Sequence, residues 1–390
     1  MSRRWPMKFK IVLCLCLVVL VAGCARPATP LLEPTQPAPT PTGTAVPEPT
    51  DTAAPAVQRV PLVVFAAGSL IIPFDALEAA FEQQYPHIDV RAEYHGSIQV
   101  IRHCTELHDE IDVITSADAS LIPMLMYAVD DPESGQPYAD WYVRFASNRL
   151  ALAYTPQSQR AGEIDADNWY EILSDRSVRT GLSDPRFDAL GYRALMVFAL
   201  AQEVYDRPTL FADMFAGRFT RPVTLFWDDD LATVTVPEIV ETRPETGLIL
   251  RGASIQLIAL LESGDIDYAF EYETVIRQHG LEMLPLPDAL NLGAEAMEER
   301  YARAQVDLDF RRFASIKPQF RGERIGYGIT IPSNAQHPQE AAQFIAFLLG
   351  PEGRAVMEAN HHPLLDPPIG DGYAHIPVEV QALCAPKGVP

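Results

Sequence analysis

The chain has 390 residues, with 52 acidic against 30 basic side chains and a net charge of −22. That balance excludes a nucleic-acid partner and electrostatic adhesion to anionic lipid, since both need clustered Lys and Arg. No CxxC, HExxH or His/Cys cluster at metal-ligand spacing occurs, so a zinc site has no support.

At the N-terminus, Arg3, Arg4, Lys8 and Lys10 precede an unbroken apolar run from Ile11 to Ala22, the layout of a secretory signal peptide over residues 1–23. The run is shorter than the roughly 20 residues of a comfortable membrane span. It closes on Leu20-Val21-Ala22-Gly23-Cys24, which resembles a bacterial lipobox. The resemblance implies cleavage before Cys24 and lipidation of its sulfur, anchoring the mature chain on the extracytoplasmic face of the cell membrane. Residues 24–59 are then mostly Pro, Thr and Ala, a composition that buries too little apolar surface to offset its ordering entropy and reads as a tether. Cys14 and Cys16 fall in the leader, which leaves Cys104 and Cys384 either to pair or to stay as two buried thiols.

From residue 60 onward strand-like and helix-like segments alternate, the pattern of an α/β fold with mainly parallel sheets flanked by helices, and the length suffices for two domains. Val60 to Phe65 reads as strand, and Ile71, Phe74, Leu77 and Phe81 mark one face of a helix with Pro73 in its first turn. Ile88 to Tyr94 is a strand, Ile98 to Leu107 a helix, Ile111 to Thr115 a strand and Ala119 to Tyr127 a helix. In the second half Arg149 to Tyr154, Val178 to Leu182, Gly247 to Arg251, Ile266 to Phe270 and Ile325 to Ile331 read as strands. Helices are expected at Asn168 to Leu173, Tyr192 to Tyr205, Ile255 to Glu262 and Gln339 to Leu349. Phe215 to Glu241 shows no clear period, and Asp228-Asp229-Asp230 within it reads as a solvated turn.

The first three strands end in Ala66-Ala67-Gly68-Ser69, His95-Gly96-Ser97 and Ser116-Ala117-Asp118, each just where a helix begins. In open parallel sheets ligands bind outside the carboxyl ends of the strands, where helix N-termini present unpaired N–H groups. Serine adds a hydroxyl donor without bulk, so the pattern suits an anion held by neutral donors. Each turn alone also reads as ordinary helix capping, and both readings stand on the pattern alone.

The segments "VFAAGSLIIPF", "YHGSIQVIR", "DVITSADASLIP", "YADWYVRFASNRLALAYT", "DNWYEIL", "ALGYRALM", "LLESGDIDYAFEYETVIRQHGL" and "YGITIPSNAQHPQEAAQFIAFLLG" occur in order between Pro61 and Val378. Together they resemble the tungstate/molybdate-binding solute receptors of ABC importers, in particular the archaeal-type tungstate branch. The resemblance implies a two-lobed, hinged, type II periplasmic-binding-protein-like fold, with lobe one at 60–146 plus 331–390 and lobe two at 147–330. It implies oxyanion donors at Ser69 and Ser97 from lobe one, and at Tyr272 and the turn holding Asp188 from lobe two. That branch also brings two carboxylates to the metal of the oxyanion. The first corresponds to Asp188; where the second belongs the chain has Gly252-Ala253-Ser254. Ser254 offers a hydrogen bond and no anionic oxygen, so either the oxyanion stays tetrahedral or Glu271 or Glu273 takes the acid's place. The implied partners are the permease and ATPase subunits of an ABC transporter, with no cofactor, a monomeric receptor and no nucleic acid. The missing acid keeps sulfate, phosphate or a carboxylate open as the solute. An enzyme is disfavoured, because neither Ser69 nor Ser97 sits in a GxSxG elbow or an SxxK.

Overall fold

The structure is a computed structural model that describes residues 59–309 and 318–388. The expected signal peptide, the lipobox with Cys24 and the expected tether up to residue 58 lie outside the described residues. Among the described residues no helix is long and apolar enough to cross a membrane.

The first lobe is built on a seven-stranded sheet. Its order is Ala385–Pro386, Leu364–Asp371, Tyr142–Ser147, Gly326–Thr330, Val113–Ser116, Val60–Ala67 and Ile88–His95. Val60–Ala67 runs parallel to Ile88–His95 along its whole length and parallel to Val113–Ser116 on its other side. The Ile71–Gln84 helix buries Phe74, Leu77 and Phe81, as their helical spacing requires. Phe81 meets Phe344 of the Pro338–Leu349 helix edge-on at 5.2 Å. Each such fully buried ring contributes about 1.5–3 kcal/mol of hydrophobic stabilisation.

The second lobe holds a five-stranded sheet ordered Glu282–Pro285, Leu150–Tyr154, Tyr268–Tyr272, Thr180–Ser183 and Leu248–Arg251. Its central strand, Tyr268–Tyr272, is buried at every position. The Ala189–Val204 helix is buried from Ala189 to Gln202, which explains why its apolar residues run around all sides rather than along one stripe. That helix needs a second cover, and a four-stranded sheet provides it, ordered Gln319–Arg321, Ala304–Leu308, Leu231–Val236 and Thr224–Asp228.

Three readings from the sequence change. Gly326–Thr330, expected in lobe two, lies inside the seven-stranded sheet, antiparallel to both Val113–Ser116 and Tyr142–Ser147. The stretch without a clear period contains the hairpin Thr224–Asp228/Leu231–Val236, turned through Asp229 at a positive φ of 47°. Asp230 in that turn is exposed, as expected, but pairs with Arg303 at 3.0 Å. The helix expected from Ala119 to Tyr127 is only Leu121–Leu125. Cys104 and Cys384 are both buried and unpaired with one another, which decides that alternative for two thiols.

Candidate functional site

The strand ends singled out in the sequence meet face to face between the lobes. A Cβ on Gly96 would lie 2.5 Å from the carbonyl oxygen of Phe187, and one on Gly68 would lie 2.9 Å from Cγ2 of Ile255. The backbone of the opposite lobe therefore requires glycine at 96, while at 68 any side chain would push the Ile255 side chain aside. At the first contact the Ile98 and Gln99 N–H groups donate to the Phe187 carbonyl at 3.1 and 3.3 Å, so donors at the start of the Ser97–Thr105 helix are satisfied across the cleft.

Ser69, Ser97, Asp188, Ser254 and Tyr272 all come to this cleft, and all are buried. Ser69 Oγ is 2.8 Å from Tyr327 Oη, and the Tyr327 ring lies 6.0 Å from that of Tyr272. The Tyr272 N–H donates to Glu271 Oε1 at 2.8 Å, and Ser254 Oγ–H donates to the same oxygen at 3.4 Å. Ser254 precedes Ile255, which touches Gly68, which precedes Ser69; the contacts thus close a ring through both lobes. Ser97 joins from the side, its Oγ accepting the Ala117 N–H at 3.0 Å.

Asp188 caps the Ala189–Val204 helix, its Oδ1 accepting the Leu190 N–H at 2.8 Å, while Oδ2 accepts the Ser254 N–H at 2.8 Å. Both carboxylate oxygens are thus engaged in holding the turn. Burial nevertheless pushes its carboxyl up to about 6, against those two N–H bonds. Glu271 is fully buried, and burial, with Asp188 adding to it, pushes its carboxyl up to about 8. Its Oε2 has no partner among the described residues. Of the two candidates for the second acid, Glu271 stands beside Ser254. Glu273 instead starts the next helix and faces Arg277 at 3.7 Å.

The sequence reading missed the residues behind these groups. Arg193 Nη1 donates to Tyr272 Oη at 2.8 Å and to the Ala117 carbonyl at 2.7 Å, and Nη2 lies 3.2 Å from Asp118 Oδ2. Tyr192 Oη donates to the same Asp118 oxygen at 2.5 Å. Asp118 Oδ1 accepts from both the N–H and the hydroxyl of Ser120. Burial opposes the charge on Asp118, but Arg193, Tyr192 and Ser120 outweigh it and hold the carboxyl below its usual range. Arg193 is likewise buried, yet Tyr272 and Asp118 keep its guanidinium charged. The signal was in plain view, since Asp118 closes "SAD" and Tyr192-Arg193 sit in "GYR", but nothing local says that these motifs meet.

Residues 62–361 match the family described as bacterial extracellular solute-binding protein. This chain belongs to that family. The solute-binding protein is accordingly a receptor of ABC-type transport and not an enzyme. It is 39% identical over 320 residues to an uncharacterized solute-binding protein of Petrotoga mobilis, covering 82% of this chain and 88% of that one. It is 32% identical over 329 residues to the molybdate/tungstate-binding protein WtpA of Thermococcus kodakarensis, covering 83% and 86% respectively. The periplasmic molybdate-binding protein of Azotobacter vinelandii aligns with 78% of this chain and 99% of its own at 16% identity and a TM-score of 0.48, too distant to carry an inference.

Proposed function

We propose that this protein is a lipid-anchored receptor on the extracytoplasmic face of the cell membrane that captures molybdate or tungstate between its lobes and hands it to the permease of an ABC importer. The observation that carries the reading is the ring of contacts itself, which gathers Ser69, Ser97, Asp188, Ser254 and Tyr272 from separate strand ends into one buried place. Hydroxyl dipoles at short range hold a dianion there, while the chain's net negative charge lies mostly outside and is screened by salt. Cys24 supplies the anchor and residues 24–59 the reach from it. The 32% identity to WtpA supports the choice of oxyanion.

Glu271 takes the part of the second acid. It is the carboxyl in contact with Ser254, and its orphaned, fully buried Oε2, which carries the carboxyl proton below about pH 8 while Oε1 accepts from Tyr272 and Ser254, finds its acceptor in a bound oxyanion. A second reading, sulfate or phosphate as solute, draws on Ser254 standing where the tungstate branch has an acid. Calorimetric titration with tungstate, molybdate, sulfate and phosphate separates the two. Tight binding of the first two only supports the first reading, and preference for either of the others overturns it. Ser69→Ala and Ser97→Ala each weaken the preferred anion by about 1–3 kcal/mol; no effect from either refutes the placement of the site.

A further inference from the structure

The four-stranded sheet of the second lobe has one edge with no strand partner among the described residues. That edge is Thr224–Asp228, which pairs on its other side with Leu231–Val236, Asp228 opposite Leu231 and Phe226 opposite Thr233. The Ala232 N–H donates to the Arg303 carbonyl at 2.8 Å, away from Thr224–Asp228. By alternation Leu231, Thr233 and Thr235 turn their backbone groups to Asp228, Phe226 and Thr224, which leaves the N–H and C=O groups of Leu225 and Trp227 facing the free edge. The side chains alternate as well. Phe226, on the outer face, is 68% exposed. Leu225 and Trp227, on the inner face, are half-buried and line a groove of about 400 Å³ with Phe211, Phe215 and Pro222. The Trp227 Nε1–H donates to Gln202 Oε1 at 2.9 Å, so this ring is held in place. Sheet edges are usually blunted by charge, proline or shortness. The opposite edge of this sheet, Gln319–Arg321, is three residues long with Gln319 and Arg321 exposed, whereas Thr224–Asp228 carries no proline and no charge before Asp228.

We propose that this edge is a self-association surface, on which a second copy of the chain lays its own Thr224–Asp228 antiparallel to the first, making one continuous sheet through both copies. The occupant follows from the order of charges around the strand. Arg221 lies before it and Asp228-Asp229-Asp230 close it, all of them exposed. Antiparallel pairing of this segment with itself sets the basic end of each copy against the acidic end of the other, whereas a parallel match stacks like on like. With the two-fold axis at Phe226, the two Phe226 rings face each other as a non-hydrogen-bonded pair. Leu225 of each copy then exchanges both backbone hydrogen bonds with Trp227 of the other, and these are the groups that face the free edge. The contact is isologous, so it closes as a pair and does not propagate into a fibre. The proposal goes beyond the anion-receptor reading, uses none of the cleft residues, and departs from the monomer that the family resemblance implies.

Sedimentation velocity of the full chain over about 1–500 µM tests it. The wild type passes from monomer to dimer with a midpoint near about 10–100 µM, as suits a small interface. Phe226→Lys sets two cations face to face at the axis and raises that midpoint at least about 10-fold. Arg221→Asp removes the complementarity at both ends and raises it about 3- to 10-fold. Both side chains are exposed and lie outside the cleft, so the thermal midpoints of the two variants stay near wild type, which separates a lost contact from a lost fold. The register is read separately. Phe226→Cys crosslinks to its own mate under a mild oxidant and gives a dimer band above the wild-type level on a non-reducing gel, whereas Thr224→Cys, set opposite Asp228 of the second copy, does not. A wild type that stays monomeric up to about 500 µM overturns the proposal and leaves the edge to a different chain. A dimer that Phe226→Lys does not weaken, or that crosslinks equally through Thr224→Cys, overturns it too, because the copies then meet elsewhere or in another register.

Discussion

Asp118→Asn tests whether the lobes are held together by the buried cluster at the strand end Ser116-Ala117-Asp118. The carboxylate takes Ser120 on Oδ1 and both Tyr192 and Arg193 on Oδ2. Asparagine keeps one oxygen for Ser120 and turns an amide NH2, which can only donate, toward Tyr192 Oη and Arg193 Nη2. Two charge-assisted contacts are lost, and the buried guanidinium keeps its hydrogen bonds to the Ala117 carbonyl and Tyr272. Breaking a buried pair from one side costs about 3–5 kcal/mol, and the partners that remain to Arg193 put this case near about 3. Tyr192 and Arg193 belong to the second lobe and Asp118 to the first, so the loss falls on the closed arrangement and shifts the ratio of open to closed by about 100-fold. Small-angle scattering of the ligand-free variant then shows a larger radius of gyration than wild type, and its apparent anion affinity falls. Tyr192→Phe, which removes one of the two contacts, gives a smaller change in the same direction. Identical scattering for wild type and Asp118→Asn, with affinities within about twofold, refutes the reasoning.

Gly96→Ala drives a methyl group into the Phe187 carbonyl 2.5 Å away across the cleft, so the closed arrangement is disfavoured with and without ligand and anion affinity drops by more than about tenfold; an unchanged affinity contradicts the closed contact. Glu271, pushed up to about 8, keeps a proton that the unfolded chain releases near pH ~4, so its stabilisation is full in acid and is lost as pH rises through about 8. Glu271→Gln therefore melts higher than wild type at pH 9, by a margin that shrinks toward pH 5, and a margin independent of pH counts against a buried titrating acid. His362 behaves oppositely. It is fully buried edge-on to Tyr327 with neither ring nitrogen partnered among the described residues, and burial pushes its imidazole down to about 4. Its neutral form stabilises the fold above pH ~6.5 and that contribution is lost as pH falls toward 4. His362→Leu flattens the acid limb of a stability curve measured by denaturant titration, and an unaltered acid limb sinks the assignment.

What is local in the chain was legible from the chain. Small and hydroxyl residues at Gly68-Ser69, Gly96-Ser97 and Ser116-Ala117-Asp118 announce strand-to-helix turns because helix starts need caps and tight turns need small side chains, requirements met within a few residues. The helical face of Phe74, Leu77 and Phe81 followed from spacing in the same way. The hairpin Thr224–Asp228/Leu231–Val236 was illegible because its strand Thr224–Asp228 is half exposed, which leaves weak periodicity to read. Gly326–Thr330 looked like any other strand, and its place between Val113–Ser116 and Tyr142–Ser147 is a choice of partner that no run of residues records.

The same division holds in the cleft. The sequence by itself determined which residues have hydroxyls and acids to offer. Only the tertiary structure decided that Glu271 and not Glu273 comes to Ser254, and that Arg193 reaches from a helix of one lobe to Asp118 of the other. The physical reason is range. Backbone dihedrals and caps are set by neighbours in the chain, whereas a buried polar group is set by whichever distant segment can satisfy it, and that is known only once both lobes have packed.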